Sequence, residues 1–278
     1  MIVPHELNKD EYEKALPVLV GEPLTYFHIV LKAIAEGNTS GRLWVDNPAT
    51  PNTLLMWDEG PILGLAGDMS NSRFNEDLAT LVSRQIAPAL AHGHHGFKMF
   101  YTNGWEEGAA HIFKNAQVQK RDRVFSIFDT LKVEHWKDNI PTGCSVRQIN
   151  LELLASESLE NLDTLKEEIA CCWTSVAHFL DKGLGFCVVT GGKIASWCTA
   201  EYASGTDRGI GIETVEEYQG RGFATLTACA FVEHCLSKGL TPYWDAWKSN
   251  IPSLALADKV GFKKIRDYPV ILGRFAAT

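Results

Sequence analysis

Two acids in strand-like surroundings and one glycine-rich turn carry the chemistry legible in this chain of 278 residues. The turn reads Gln219-Gly220-Arg221-Gly222-Phe223-Ala224. Before it, Ile210, Ile212 and Val215 are strand formers interleaved with small or polar residues; after it, Thr225 to Leu236 is almost wholly apolar, and Gly239 closes that run as a helix C′ residue. Strand, tight turn and buried helix in that order leave the amides of Gly220 to Ala224 without helical partners and aim them at one spot. The helix dipole adds positive charge there, and glycine lets a ligand approach the main chain closely. The expected product is an anion pocket suited to a diphosphate. Glu213 lies inside the otherwise apolar strand, where a desolvated carboxylate is a stronger base. Asp245 is the second candidate base, between Trp244 and Ala246 on the next strand. A salt bridge, or a solvent-facing place on the sheet, is the plain alternative for either acid.

Two familiar phosphate loops do not fit. A Walker loop ends in Gly-Lys-Ser/Thr, whereas Phe223 follows Gly222; a Rossmann fingerprint needs a third glycine and an acid about 20 residues on. The order Gln219-Gly220-Arg221-Gly222-Phe223-Ala224 instead resembles the Gln/Arg-x-x-Gly-x-Gly/Ala signature of the GCN5-related N-acetyltransferases, the GNAT superfamily. A strand-like Tyr243 to Trp247, then Asn250, a helical Ser253 to Val260 and a closing Gly261-Phe262 extend the match over Cys144 to Thr278. The Trp244-Asp245 pair and a tandem layout look most like the zwittermicin A resistance-type branch.

That resemblance implies acetyl-CoA as co-substrate, bound at the Gln219 to Ala224 signature with the diphosphate on the amides of Gly220 to Ala224. It implies a strand splayed from its neighbour, so that Glu213, Thr214 and Val215 offer amides to the pantetheine arm and the thioester carbonyl. Asn250 matches the family's pantetheine-contacting asparagine, and Ser253 lies one turn later. Ser249-Asn250-Ile251-Pro252 also reads as a helix N-terminus, and the two roles are compatible. The family's acid, a tyrosine four residues before the Gly-Phe pair, falls on Ala257 and is absent. A thiolate whose free thiol has a pKa near 8.5 leaves without strong acid help.

The elements that position these groups come in two similar series. Helical patterns at Glu11 to Leu19 and Tyr26 to Ala35 precede a short strand at Gly41 to Asp46. A hairpin follows from Thr53-Trp57 and Ile62-Gly67 around Asp58-Glu59-Gly60-Pro61. Then come a helix from Phe74 to Ala91 that Pro88 ends or kinks, strand Phe97 to Thr102, helix Trp105 to Lys114 and strand Arg123 to Phe128. The second series gives strand Ser145 to Leu151, helix Leu162 to Leu180, a hairpin about Gly191-Gly192, the glycine-turn unit, strand Tyr243, helix Ser253, and strands at Phe262 and Val270. The expected fold is α/β with a mixed sheet, in tandem GNAT-like units: residues 1–131, a linker at 132–143, and 144–278. The first unit is degenerate, since Gly67-Asp68-Met69-Ser70-Asn71 has no Gly-x-Gly turn and sets an acid where phosphate would sit.

Composition narrows the partners. A net charge of −8 opposes nucleic-acid binding and is compatible with a cationic substrate. No run approaches about 18 uncharged apolar residues, so no membrane partner is expected. The opening Met-Ile-Val-Pro-His-Glu has no basic flank or apolar core of a signal peptide, so a cytoplasmic location is expected. The seven cysteines form no Cys-x-x-Cys pattern and read as reduced, buried thiols; Cys198 beside Trp197 is not needed as a nucleophile. His92-Gly93-His94-His95 lacks matching ligand spacing and reads as a loop, so no metal is expected. Trp197, Tyr202, Trp244 and Trp247 either line an acceptor pocket or pack the sheet. Nothing in the pattern specifies an oligomeric state. The activity expected is acetyl-CoA-dependent N-acetylation of a small-molecule amine, an antibiotic or metabolite, by direct attack in a ternary complex. A non-catalytic acyl-CoA sensor, and an aminoacyl-tRNA-dependent transferase, are the alternatives.

Overall fold

The computed structural model describes residues 4–93, 96–102 and 104–275. Internal packing divides the chain into two units, Met1–Arg123 with Tyr268–Thr278, and Val124–Asp267. The segment 132–143, expected as a linker, belongs to the second unit: Trp136 is buried in its core. The chain from Tyr268 onward, expected in the second unit, counts with the first.

The first unit runs β1 (His5–Glu6), a 3-10 helix (Lys9–Leu19), α1 (Tyr26–Ala35), β2 (Arg42–Val45), β3 (Thr53–Trp57), β4 (Ile62–Gly67), α2 (Ser72–Leu81), a π turn (Val82–Ile86), α3 (Ala87–Gly93), β5 (Phe97–Tyr101), α4 (Trp105–Ile112) and the start of β6 (Ala116–Phe128). Its strands lie in the order β1-β2-β3-β4-β5 and then the end of the last strand, β12 (Phe262–Phe275). Only β4 and β5 pair in parallel among them. Aromatic and branched residues of α2, α4 and the strands, Phe74, Trp105, Leu55 and Leu63 among them, close one apolar core. The helix expected from Phe74 to Ala91 is interrupted because Pro88 has no N–H to give the turn before it. The chain widens instead, and the Ala87 N–H reaches back five residues to Val82 O. The expected helix at Glu11 to Leu19 is a 3-10 helix with Pro17 inside it.

The second unit continues with β7 (Cys144–Gln148), α5 (Leu151–Leu154), α6 (Leu162–Cys172), α7 (Val176–Lys182), β8 (Gly185–Thr190), β9 (Lys193–Ser204), β10 (Asp207–Thr214), α8 (Phe223–Ser237), β11 (Thr241–Trp247), α9 (Ile251–Val260) and the start of β12 (Phe262–Phe275). The expected separate strands at Phe262 and Val270 are therefore one strand, and the helix expected from Leu162 to Leu180 is two. Strands β7, β8, β9 and β10 pair antiparallel, and β11 joins β10 in parallel. Helix α8 is apolar nearly all round because it is covered nearly all round: β8 to β11 on one side, α9 and the Trp136 turn on the other. Its end has the expected form, with Gly239 at φ +66° and Leu240 N–H on Cys235 O.

Candidate active site

The parallel pair β4–β5 of the first unit and the parallel pair β10–β11 of the second end differently. In the first unit β4 stays paired with β5 from Ile62 to Leu65. Thr102 then carries the seam on, its N–H on Leu65 O at 3.0 Å and its Oγ1 accepting from Gly67 N–H at 3.2 Å. In the second unit β10 pairs with β11 only over Asp207–Gly209, although the strands run on to Thr214 and Trp247. A bulge in β9 coincides with the parting. The register of β10 on β9 shifts between Gly209 and Ile210, passing over Glu201 of β9, and such an extra residue bends its own strand and sharpens the local twist. Beyond the bulge β10 is held from the β9 side. Ser196 Oγ lies 2.8 Å from both Glu213 O and Thr214 Oγ1, and Val215 N–H donates to Ala195 O at 3.0 Å.

That last bond decides which amides are free. In an antiparallel ladder successive N–H groups alternate sides. Val215 and Glu213 therefore turn their N–H groups to β9, and Thr214 and Ile212 turn theirs into the gap. The expectation that Glu213, Thr214 and Val215 all offer free amides is corrected: Thr214 does, Glu213 and Val215 do not, and Ile212 joins Thr214.

At the turn Gly220 and Gly222 stand at φ +73° and +81°, a backbone that favours glycine. Gly222 is the N-cap of α8 and no side chain caps it. The first helical bonds are Thr225 and Leu226 N–H to Gly222 O, so the N–H groups of Gly220 to Ala224 find no acceptor among the described residues. Gln219 turns its side chain back instead: Nε2 donates to Thr214 O at 3.2 Å and ties the turn to the strand. The Arg221 guanidinium lies 5.2 Å over the Tyr218 ring. The matching loop of the first unit is closed by its own side chains. Asn71 Oδ1 accepts from Phe74 N–H at 3.1 Å, and Asp68 Oδ1 from Ser70 N–H at 2.8 Å.

Between fork and turn lies an open pocket of about 560 Å³. It gathers Glu213, Thr214, Gln219, Gly220, Gly222, Phe223, Ala224, Asn250 and Ser253 from the expected set; Val215, Arg221 and Asp245 are not in its wall. Ile212, Tyr218, Pro252 and Leu256 complete it and carried no motif. Asn250 Oδ1 accepts from Ser253 N–H at 3.2 Å, so it caps α9 while its side chain faces the pocket. Ser253 Oγ accepts from the Trp244 indole at 3.0 Å, which leaves its proton to donate elsewhere. Ala257 is on the buried face of α9 and supplies no acid.

The acids are arranged otherwise than expected. Glu213 is exposed, so the burial on which its basicity was argued is missing. Its charge instead acts on a partly buried acid nearby. Glu168 of α6 accepts from the Trp197 indole at 2.6 Å, and Trp197 is the register partner of Glu213. Burial pushes the Glu168 carboxyl above its ordinary value; the indole bond opposes this, while the charges of Glu213 and Glu201 add to it. Gly211 keeps the surface between them low, since a Cβ there would meet Glu201 Cβ at 3.3 Å. Sequence reasoning missed Glu168 because nothing in α6 marks it; only the fold sets it beside Trp197.

The remaining candidates resolve into structure. Trp197 and Trp244 belong to the core, and Tyr202 is buried. The Cys198 thiol is buried and pushed well above its ordinary range by that burial, which removes it as a nucleophile. All seven cysteines are free; four are buried, Cys144 and Cys172 partly so, and Cys171 is exposed. Among the described residues no group of three or more His, Cys, Asp or Glu side chains could hold a metal ion. His94 and His95 lie outside the described residues. No described helix is long and apolar enough to cross a membrane.

A mixed α/β fold with a forked parallel pair and a capless helix start behind a Gly-x-Gly turn defines an acyltransferase of the GNAT type. Residues 23–271 match the family described as GNAT acetyltransferase, and the chain belongs to that family. It is similar to an uncharacterized N-acetyltransferase, YdfB, of Bacillus subtilis strain 168, with 27% identity over 273 residues, 97% of this chain and 98% of that one. A GCN5-related N-acetyltransferase-like protein of Streptococcus suis 89/1591 shares the fold at a TM-score of 0.70 and 21% identity, over 95% of this chain and 98% of that one. A tandem GNAT protein from the clavulanic acid biosynthesis pathway shares it at 0.60 and 15%, over 98% and 97%.

Proposed function

We propose that this acyltransferase moves an acetyl group from acetyl-CoA to the amine of a small molecule by direct attack in a ternary complex. One observation carries the reading: the free amides at Gly220 to Ala224 and the unpaired edge of β10 line one pocket. The diphosphate sits on the turn, and charge-assisted bonds of about 1.5–3 kcal/mol each supply most of a micromolar affinity, about −8 kcal/mol. The arm runs along the gap, where the Thr214 and Ile212 amides reach pantetheine and the thioester oxygen, and stabilise that oxygen as it gains charge. The amine lies on the Glu213 side. Its lone pair attacks the carbonyl carbon, Glu213 or a water on it takes the ammonium proton, and the C–S bond breaks to release thiolate. The Trp244-Asp245 pair supports a zwittermicin A resistance-type assignment within the family. The test is initial-velocity kinetics with free-thiol detection over an amine panel. Intersecting lines and thiol release are expected; parallel lines would contradict direct attack. Ala257 at the acid's position favours a second reading, a coenzyme-binding sensor, which saturable binding without thiol release would select.

A further inference from the structure

The first unit has a cavity unrelated to the pocket above. It lies at the π turn, where Val82, Pro88, Ile112 and Phe275 enclose an apolar chamber of about 240 Å³. A cavity of roughly 150 Å³ is enough to hold a benzene ring. Ser83 and Asn115 are shared with a wider, polar compartment of about 580 Å³, walled by Arg84, His111 and Lys114. None of these three basic side chains has an ion-pair or hydrogen-bond partner among the described residues. Glu76 is the one acid in the wall, set against two obligate cations and an imidazole. The π turn before Pro88 puts Ser83 in the wall of both compartments and Arg84 in the wall of the polar one.

We infer that the first unit holds its own small-molecule site, for an amphipathic carboxylate with an apolar body of about phenyl-ring size. The apolar body fills the chamber. The carboxylate meets the Arg84 guanidinium, which presents paired donors matched to two oxygens, and the Lys114 ammonium beside it. The site is independent of the acetyl-CoA reading, since its walls share no residue with the coenzyme pocket.

The experiment is calorimetry on the full chain with 3-phenylpropionate and with its neutral amide. The acid is expected to bind in the millimolar range, the affinity available to so small a ligand. The amide is expected to bind roughly tenfold weaker or worse, because it forgoes the charge-assisted bonds. Arg84→Gln and Lys114→Gln, both at exposed positions, are expected to erase that preference while coenzyme A affinity stays unchanged. Amide chemical shifts should move along Val82–Ile86 and the end of α4. Equal binding of acid and amide, no saturable binding of the acid, an unaltered preference in Arg84→Gln, or shifts confined elsewhere would each overturn the inference.

Discussion

The Gly222 pair of variants separates charge from shape at the turn. Gly222 stands at φ +81°, and an added Cβ meets nothing within 4 Å. Asp and Asn therefore both fit, and as the side chains that best tolerate left-handed backbone they share a cost of about 1–2 kcal/mol. They differ in one charge, aimed into the space where the free amides converge. Two like charges about 4 Å apart repel by about 4 kcal/mol at an effective dielectric constant near 20. At 1.36 kcal/mol per decade that is about three orders of magnitude in affinity. Gly222→Asp should thus bind coenzyme A about a thousandfold more weakly than Gly222→Asn, and Asn should lose about tenfold or less against the parent. Isothermal titration reads the affinities, and urea unfolding should show both variants folded and equally stable within about 1 kcal/mol. If Asp and Asn bind coenzyme A alike, no diphosphate lies at this turn and the reasoning fails.

Glu213→Gln should lower kcat/KM by about 10²–10⁴ at neutral pH, and the deficit should shrink as pH rises and the free amine accumulates; a deficit constant with pH would show that Glu213 only binds. Trp197→Phe deletes the indole donor to Glu168, so the fold should lose about 1–2 kcal/mol in urea unfolding and the Glu168 carboxyl should titrate higher still; an unchanged Glu168 titration by carbon-detected NMR would contradict the pairing. Asp58 concerns the first unit alone. Burial lifts its carboxyl from the ordinary 3.8 to about 7, against the Ile62 and Gly60 N–H bonds that favour the charge. Since the folded chain holds this proton more tightly than the unfolded one, the associated stability is full below about pH 4 and falls as pH rises through about 7, by at most roughly 4 kcal/mol. Asp58→Asn keeps an oxygen for both N–H groups and should flatten that slope; an equal fall in the variant between pH 5 and 8 would assign it to other groups.

Much of the fold shows in the sequence because local physics and tertiary packing agree there. Thr53–Trp57 and Ile62–Gly67 read as strands and form them, since both are apolar and a turn-forming Asp58-Glu59-Gly60-Pro61 separates them. The turn at Gly220 and Gly222 was legible for the same reason: two positive φ angles call for two glycines. What sequence could not show depends on pairing across strands. The bulge at Glu201 has no marker in its own residues, yet it lies where the fork opens, and the Val215 bond beyond it decides that Ile212 rather than Val215 faces the gap. Glu168 lies 45 residues before Glu213 in the chain, and only the packing of α6 on β9 joins them. Glu213 illustrates the reverse error. An acid in an apolar run suggested burial, but the strand lies along an opening and the side chain is exposed.

The account rests on coenzyme A being held by main-chain N–H groups of the second unit. The direct measurement is a nitrogen-15 amide spectrum of the full chain titrated with coenzyme A. The amides of Gly220, Gly222, Phe223, Ala224 and Thr214 should shift together and saturate, while those of Val215 and of 68–71 stay in place. Saturating shifts at 68–71, or none at Gly220 to Ala224, would contradict it.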